Sequence, residues 1–346
     1  MMKNYSTRED ILTEELSNRS LWFKIFDCTL TALVLMAAFT GNLLVCLAIK
    51  KNAKLRKIPN YYIASLAVTD LLMSSLGMPL TLVANIADGW ILGEALCQYQ
   101  GFVGTALGAA SLLNIALLAL NRYLKIVHGQ DHIRYSQTKT KTVIWSIAFV
   151  WSLALLSPTT YLATGERFSF HPGKVLCIFD LDNMNRYYAI LATFCFAMIP
   201  FGVTTFCYYK VFRAVRQHNK TVAQLSSDAR KRAVDEIKLA KLLFITLLGF
   251  VTCWIPFVVI DVIGMFKGQY AFPKGVYTLY STSVGLSSCV NPVIYAALNR
   301  EFRTEFKRIS TACLGKISPP KIPLYRSKYN LDKREGKETT KESPIS

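Results

Sequence analysis

Two charged side chains stand where their neighbours are apolar: Asp70 in "SLAVTDLL" and Arg122 in "LLALNRYLKIV". Asn42, Ser111, Asn114, Ser287, Ser288 and Asn291 could converge on the Asp70 carboxylate, and together they have the oxygen chemistry to hold a sodium ion or a switchable proton. Asp70, Ser111, Ser288 and Asn291 are the expected sodium ligands, although the same groups could simply tie helices together. A guanidinium at the end of an apolar run must either find an internal partner or be offered to an external one. The four histidines, His128, His132, His171 and His218, have neither metal-ligand spacing nor a nucleophile to serve, so no enzyme is expected.

Such groups need a scaffold that places them inside lipid. Of 346 residues, 52% are hydrophobic and only 18% charged, which is little charge for a soluble domain of this length. Residues 28–49, 95–120, 143–164, 187–209, 242–260 and 275–298 contain no Asp, Glu, Lys or Arg, and 61–86 contains Asp70 alone. Each run is close to the roughly 20 residues that a helix needs to cross the hydrocarbon core. In lipid every backbone polar group must be paired within its own segment, so seven runs mean seven helices. The expected fold is an all-α membrane protein, a seven-transmembrane helix bundle with a short amphipathic cytoplasmic helix. The expected divisions are an extracellular segment 1–27, the bundle 28–298, the amphipathic helix 299–312 and a disordered tail 313–346. In the third of these, Phe302, Phe306 and Ile309 alternate with Arg303, Lys307 and Arg308 at helical spacing, as in a helix lying on the inner leaflet.

Basic residues set the orientation. Lys50, Lys51, Lys54, Arg56 and Lys57 fill the first connection, and Arg213, Arg216, Arg230, Lys231, Arg232 and Lys238 belong to the fifth. The second holds Asp88 and Glu94. The chain is therefore expected in the plasma membrane with its N-terminus outside and its C-terminus inside. The net charge of +18 is accounted for by an inner surface facing anionic lipid, with no nucleic-acid partner required. Outside, Asn4 and Asn18 head glycosylation sequons. Cys97 and Cys177 both face the oxidising side and could bridge, with Cys28 as a competing partner. Cys313 follows the last span and is a palmitoylation candidate.

Several features together resemble the rhodopsin-like family of G-protein-coupled receptors over roughly residues 30–309. They are "GNLLV" with Asn42, "SLAVTDLL" with Asp70, Trp90, Cys97 with Cys177, "NRY" at 121–123, Trp151, Pro200 with Tyr208, "CWIP" at 253–256 and "NPVIY" at 291–295. The resemblance implies that Arg122 is held inside the bundle at rest and freed on activation, with Glu236 on the sixth span as its acidic partner. The acid that usually precedes this arginine is Asn121 here. Arg122, Tyr123, Tyr208, Glu236, Phe250, Trp254, Pro256, Asn291, Pro292 and Tyr295 are the implied activation switch. A heterotrimeric G protein is the implied partner, with a receptor kinase and arrestin as further ones.

Departures from relatives bear on the ligand. The position of the amine-binding aspartate of aminergic receptors is Gly104, and that of the retinal lysine of opsins is Gly285, so no covalent retinal is expected. "CQYQGF", "NRY", "SSCVN" and "FRTEFKRI" are similar to melatonin receptors, but Asn291-Pro292 and Phe196 depart from that group. An extracellular small-molecule ligand is expected against Thr105, Gly108, Thr193, Phe196, Trp254, Phe257, Val258, Asp261, Tyr277 and Ser281. A ligand-independent or heteromer-forming protein, and an opsin-like protein without covalent retinal, are the alternatives. Gly101, Gly104 and Gly108 recur on one face of the third span and either make room for a ligand or, as the preferred reading, let a neighbouring helix approach.

Overall fold

The computed structural model describes residues 7–127, 140–222 and 227–313, with the backbone alone at 140, 217–222, 227–237 and 313. Asn4 lies outside the described residues, as do the side chains of Glu236 and Cys313 and the tail beyond it. After a short helix α1 (Arg8–Ser17) come the spans: first, α2 (Leu21–Lys51); second, α3 (Ile58–Leu72) and α4 (Met78–Ala87); third, α5 (Gly93–Val127); fourth, α6 (Thr140–Ala163). A hairpin of β1 (Phe168–His171) and β2 (Leu176–Phe179) follows. Then come the fifth span, α7 (Arg186–Thr193) with α8 (Ile199–Val222), the sixth, α9 (Ser227–Lys267), and the seventh, α10 (Lys274–Leu298). α11 (Arg300–Cys313) closes the described chain.

The first helix begins at Leu21, earlier than the uncharged run at 28, so Lys24 and Asp27 are helical. Six spans are long and apolar enough to cross a membrane by themselves. The seventh falls short because Ser283, Ser287, Ser288 and Asn291 dilute it, and all four are buried against the other helices. Large apolar residues such as Trp22, Phe26, Trp145, Phe149 and Phe212 are exposed on the bundle's outer surface, the arrangement lipid requires.

The prolines show how the backbone is kept paired. Pro79 and Pro200 follow π-helical turns at Met73–Gly77 and Phe194–Met198, where the missing proline amide is absorbed by a widened turn. Pro292 withholds its amide from the Ser288 carbonyl, four residues back. Asn42 of the first span supplies the replacement, its Nδ2 donating to that carbonyl at 2.9 Å and to the Ala38 carbonyl at 2.8 Å. Gly41 makes the approach possible, because a Cβ there would sit 2.9 Å from Pro292 Cβ. The "GN" pair and the "NP" pair are thus one interlock between the first and seventh spans.

α5 is the central helix and touches the second, fourth, fifth and sixth spans and both strands. α11 does not simply lie flat with its apolar face free. Phe302 and Ile309 are buried against the bundle, with the Phe302 ring 5.5 Å from that of Tyr295. At the hairpin end, α1 is closed by a Thr7–Asp10 capping box and drops Leu12 against Ile260, Tyr277 and Tyr280. Arg19 pairs there with Asp27 at 3.0 Å and Asp88 at 2.7 Å, and Lys24 joins Asp88.

The hairpin itself packs against the glycine face of α5. A Cβ on Gly101 would fall 2.2 Å from the Phe168 ring, whereas one on Gly104 meets nothing within 4 Å. Of the two readings of this stripe, packing holds at Gly101, though against a strand rather than a helix, and open space holds at Gly104, which borders an internal cavity. Gly101→Ala should destabilise the protein by about 1–3 kcal/mol, whereas Gly104→Ala should leave it as stable or raise stability by up to about 1 kcal/mol. Thermal melting of the two purified variants checks this; equal melting temperatures would refute it.

Candidate functional site

Beneath the hairpin, a cavity of about 320 Å³ runs from the strands down to Asp70. The hairpin roofs it with Lys174, Val175, Leu176, Cys177, Ile178 and Phe179. Its placement follows from a few residues at the start of α5. Cys97 is bonded to Cys177, leaving Cys28 free. Gln98 reads both backbone groups of Phe168, donating to its carbonyl at 2.8 Å and accepting from its N–H at 3.0 Å. Gln100 accepts from the Cys177 N–H at 2.8 Å and donates to the Thr81 hydroxyl at 3.0 Å. One strand is therefore clamped by Gln98 and the other by Gln100, with the disulfide between them. In "CQYQGF" the alternation Cys97, Gln98, Gln100, Gly101 is the set of contacts that docks a hairpin. Sequence reasoning quoted that string only as a resemblance.

The other side of the roof rests on His171 and Gln269. His171 is 1% exposed, its Nδ1 accepting from the Lys174 N–H at 3.2 Å and its Nε2 donating to the Gln269 carbonyl at 3.0 Å. Tyr277, expected among the ligand contacts, is instead fully buried outside the cavity lining, and its hydroxyl donates to the same Gln269 carbonyl at 2.6 Å. The aromatic character that suggested a ligand wall is used here to brace a loop. Burial first, and the Lys174 charge second, push the His171 imidazole down to about 3.

The other nine expected contacts, Thr105, Gly108, Thr193, Phe196, Trp254, Phe257, Val258, Asp261 and Ser281, all line the cavity. Lys174 lines it too, and nothing in its sequence surroundings marked it. Its Nζ meets Asp261 Oδ1 at 2.7 Å. Phe250, Trp254, Phe257 and Tyr280 form a continuous aromatic column, with centroids 5.2, 4.9 and 5.0 Å apart. The buried Trp254 Nε1 has no hydrogen-bond partner among the described residues and is a donor at the cavity wall.

At the bottom of the cavity, Asp70 Oδ2 accepts from Asn291 Nδ2 at 3.0 Å. Ser111 and Ser288 line the same space and are almost fully buried. The Oδ1 atoms of Asn42, Asn114 and Asn291 are buried without a hydrogen-bond partner among the described residues. A carboxylate, hydroxyls and spare amide oxygens suit a hard monovalent cation, so the residues present fit sodium.

Deeper still, Arg122 is 1% exposed, and its Nη2 donates to Asn121 Oδ1 at 2.7 Å. Asn121, in place of the usual acid, thus meets the guanidinium with a neutral amide oxygen. Glu236, expected to pair with it, is on α9, but its side chain lies outside the described residues. Phe250, Tyr208 and Tyr295 are buried in one apolar cluster that Tyr123 and Trp254 also border, and the Tyr123 ring is 5.8 Å from Phe206. Asn18 is exposed at the end of α1.

The family model described as 7 transmembrane receptor (rhodopsin family) matches residues 41–295. Melatonin receptor type 1B of Mus musculus is 30% identical over 297 residues, which cover 85% of this chain and 80% of that one. Melanopsin-B of Xenopus laevis is 29% identical over 303 residues, 83% of this chain but only 55% of that longer protein. The crystal structure of squid rhodopsin superposes with a TM-score of 0.73 at 22% identity, over 85% of this chain and 87% of that one.

The buried histidine generates a pH prediction. In the folded protein it stays neutral down to about 3, whereas the unfolded chain takes up its proton near 6.5. Between those values the unfolded state binds more protons, so stability falls as pH falls. Lowering the pH from neutral to 5 should cost about 2 kcal/mol through this group. Melting curves of the purified protein across that range, beside those of His171→Gln, check it: the variant should lose this part of the slope, and an unchanged slope would exclude His171 as its source.

Proposed function

Because the chain belongs to the rhodopsin family of seven-transmembrane receptors, we propose that it takes an extracellular small-molecule ligand beneath the hairpin and activates a heterotrimeric G protein. The observation that carries this reading is the aromatic column. It joins the cavity wall at Tyr280 and Phe257 to Phe250, which packs in the same cluster as Tyr208 and Tyr295. A ligand's preference for one packing of Trp254 is thus felt on the sixth span beside Pro256. A ligand shifts this equilibrium only by its differential affinity for the two states. Pro256 withholds an amide from the Thr252 carbonyl, which loosens α9 at that turn. The inner half of the sixth span swings outward there, Arg122 leaves Asn121, and a groove opens for a helix of the transducer. Tyr208 and Tyr295 then turn toward the freed guanidinium.

In this reading the hairpin end is extracellular and α11 lies at the cytoplasmic face of the plasma membrane. Asn4 and Asn18 carry glycans, Cys313 carries palmitate, and a receptor kinase and arrestin act on the activated form. Asp70, Ser111, Ser288 and Asn291 would hold sodium, whose charge favours the resting packing. These residues couple the second, third and seventh spans whether or not the ion is bound, since Asp70 and Asn291 already bond directly. Gly104 and Gly285 support neither an aminergic aspartate at that position nor a Schiff base.

Two outcomes test this. Nucleotide exchange on a purified G protein, driven by reconstituted receptor and screened against a small-molecule library, should fall by about tenfold or more in Arg122→Ala at equal receptor concentration. A well-trafficked Arg122→Ala with normal exchange would sink the reading. Separately, sodium chloride should raise the receptor's melting temperature above that in N-methylglucamine chloride, and Asp70→Asn should abolish the difference. A sodium effect that survives Asp70→Asn would exclude this site.

A further inference from the structure

Lys174 does something that neither the fold nor the proposed signalling requires. It hangs from the turn of the hairpin, yet its side chain is only 2% exposed. Its Nζ reaches Asp261 Oδ1 at 2.7 Å and sits 4.3 Å from the centre of the Tyr280 ring. The Tyr280 hydroxyl donates to the other Asp261 oxygen at 3.1 Å. The hydroxyl of Ser281 on the seventh span donates to the Lys174 carbonyl at 2.6 Å. Counter-ion, aromatic face and exclusion from water are together what a protein uses to recognise an alkylammonium ion. The neighbouring Val175 has φ +55°, a costly conformation for a β-branched residue, so the turn that presents the lysine is held by its surroundings.

We propose that Asp261 and Tyr280 form an ammonium-binding site whose resident occupant is the receptor's own Lys174, and that cationic small molecules compete with it. The proposal rests on the reading of this cavity as the ligand site and gives that ligand a chemical class. Lys174, Asp261, Tyr280, Trp254 and Phe257 all line the same cavity, so an ammonium ligand takes this slot while its apolar part lies along the aromatic column. Lys174 must leave first. It is attached to a hairpin bonded to the third span through Cys177, whereas Asp261 is on the sixth. The ion pair therefore ties those two spans together at the extracellular end, and a competing cation unties them. Because the amine-binding aspartate of the third span is absent, the acid is supplied from the sixth span instead.

Lys174→Ala removes Cγ, Cδ, Cε and Nζ, which are the heavy atoms of n-propylammonium. The purified variant should melt about 5 °C below the wild type. Millimolar n-propylammonium chloride should restore most of that loss, relative to sodium chloride at equal ionic strength. Tetrapropylammonium, too bulky for the slot, should not, and neither ion should rescue Lys174→Ala combined with Asp261→Asn. Absence of rescue, or equal rescue in the Asp261→Asn background, would overturn the proposal. If Lys174→Ala does not survive purification, its surface level in cells grown with n-propylammonium replaces the melting curve: recovery dependent on Asp261 supports the site, and no recovery overturns it. Neither readout involves a G protein, so a failure here is distinguishable from a failure of coupling.

Discussion

A bilayer has no water to pair with a backbone group, and that constraint governs this structure through its prolines. Each proline in a span leaves a carbonyl without its usual partner. At Pro292 the Ser288 carbonyl takes its hydrogen bond from Asn42 of another helix, and Gly41 lets the two helices close on it. At Pro79 and Pro200 the helix widens into a π turn instead. The first solution ties two spans together, and the second re-aims the rest of one. The Asp70–Asn291 bond lies beside the first of these, so the polar centre of the bundle and its backbone repair are one assembly.

The bundle was legible in the sequence because lipid allows so few solutions. Six uncharged runs of spanning length, and one more whose only charge is Asp70, leave little choice of architecture, and charge sets their ends. The seventh run illustrates the limit: its serines and asparagine look unsuited to lipid until they are seen turned inward. Nine of the ten residues expected to meet a ligand line the cavity, since helical periodicity carries a side chain's direction once one neighbour is placed. Tyr277 was misplaced because an aromatic near a helix end packs equally well against ligand or loop, and only the position of Gln269 decides between them.

The disulfide that pins the loop after the fourth span over the bundle was legible from its cysteines, but the two strands of that loop were not. Residues 164–185 have no long apolar run, and their placement depends on contacts with α5 that are distant in sequence. Lys174 reads there as an ordinary loop lysine; only the turn that buries it, and Asp261 on a remote helix, give it a role. The same holds for Gln98 and Gln100, whose amides have no partner until the strands arrive. Local patterns predict elements, while these contacts arise from how elements meet.

The third span differs from its neighbours in one respect that shapes any motion. α5 is an unbroken helix with no proline between Gly93 and Val127, whereas the second, fourth, fifth, sixth and seventh spans each contain at least one. Gln98, at the hairpin, and Arg122 are 24 residues apart on it (122 − 98), about 36 Å along a single rigid rod. Such a rod turns or slides as a whole but does not flex midway. The roof of the cavity and the backbone at Arg122 consequently keep a fixed separation, whatever packing the proline-bearing helices around them adopt.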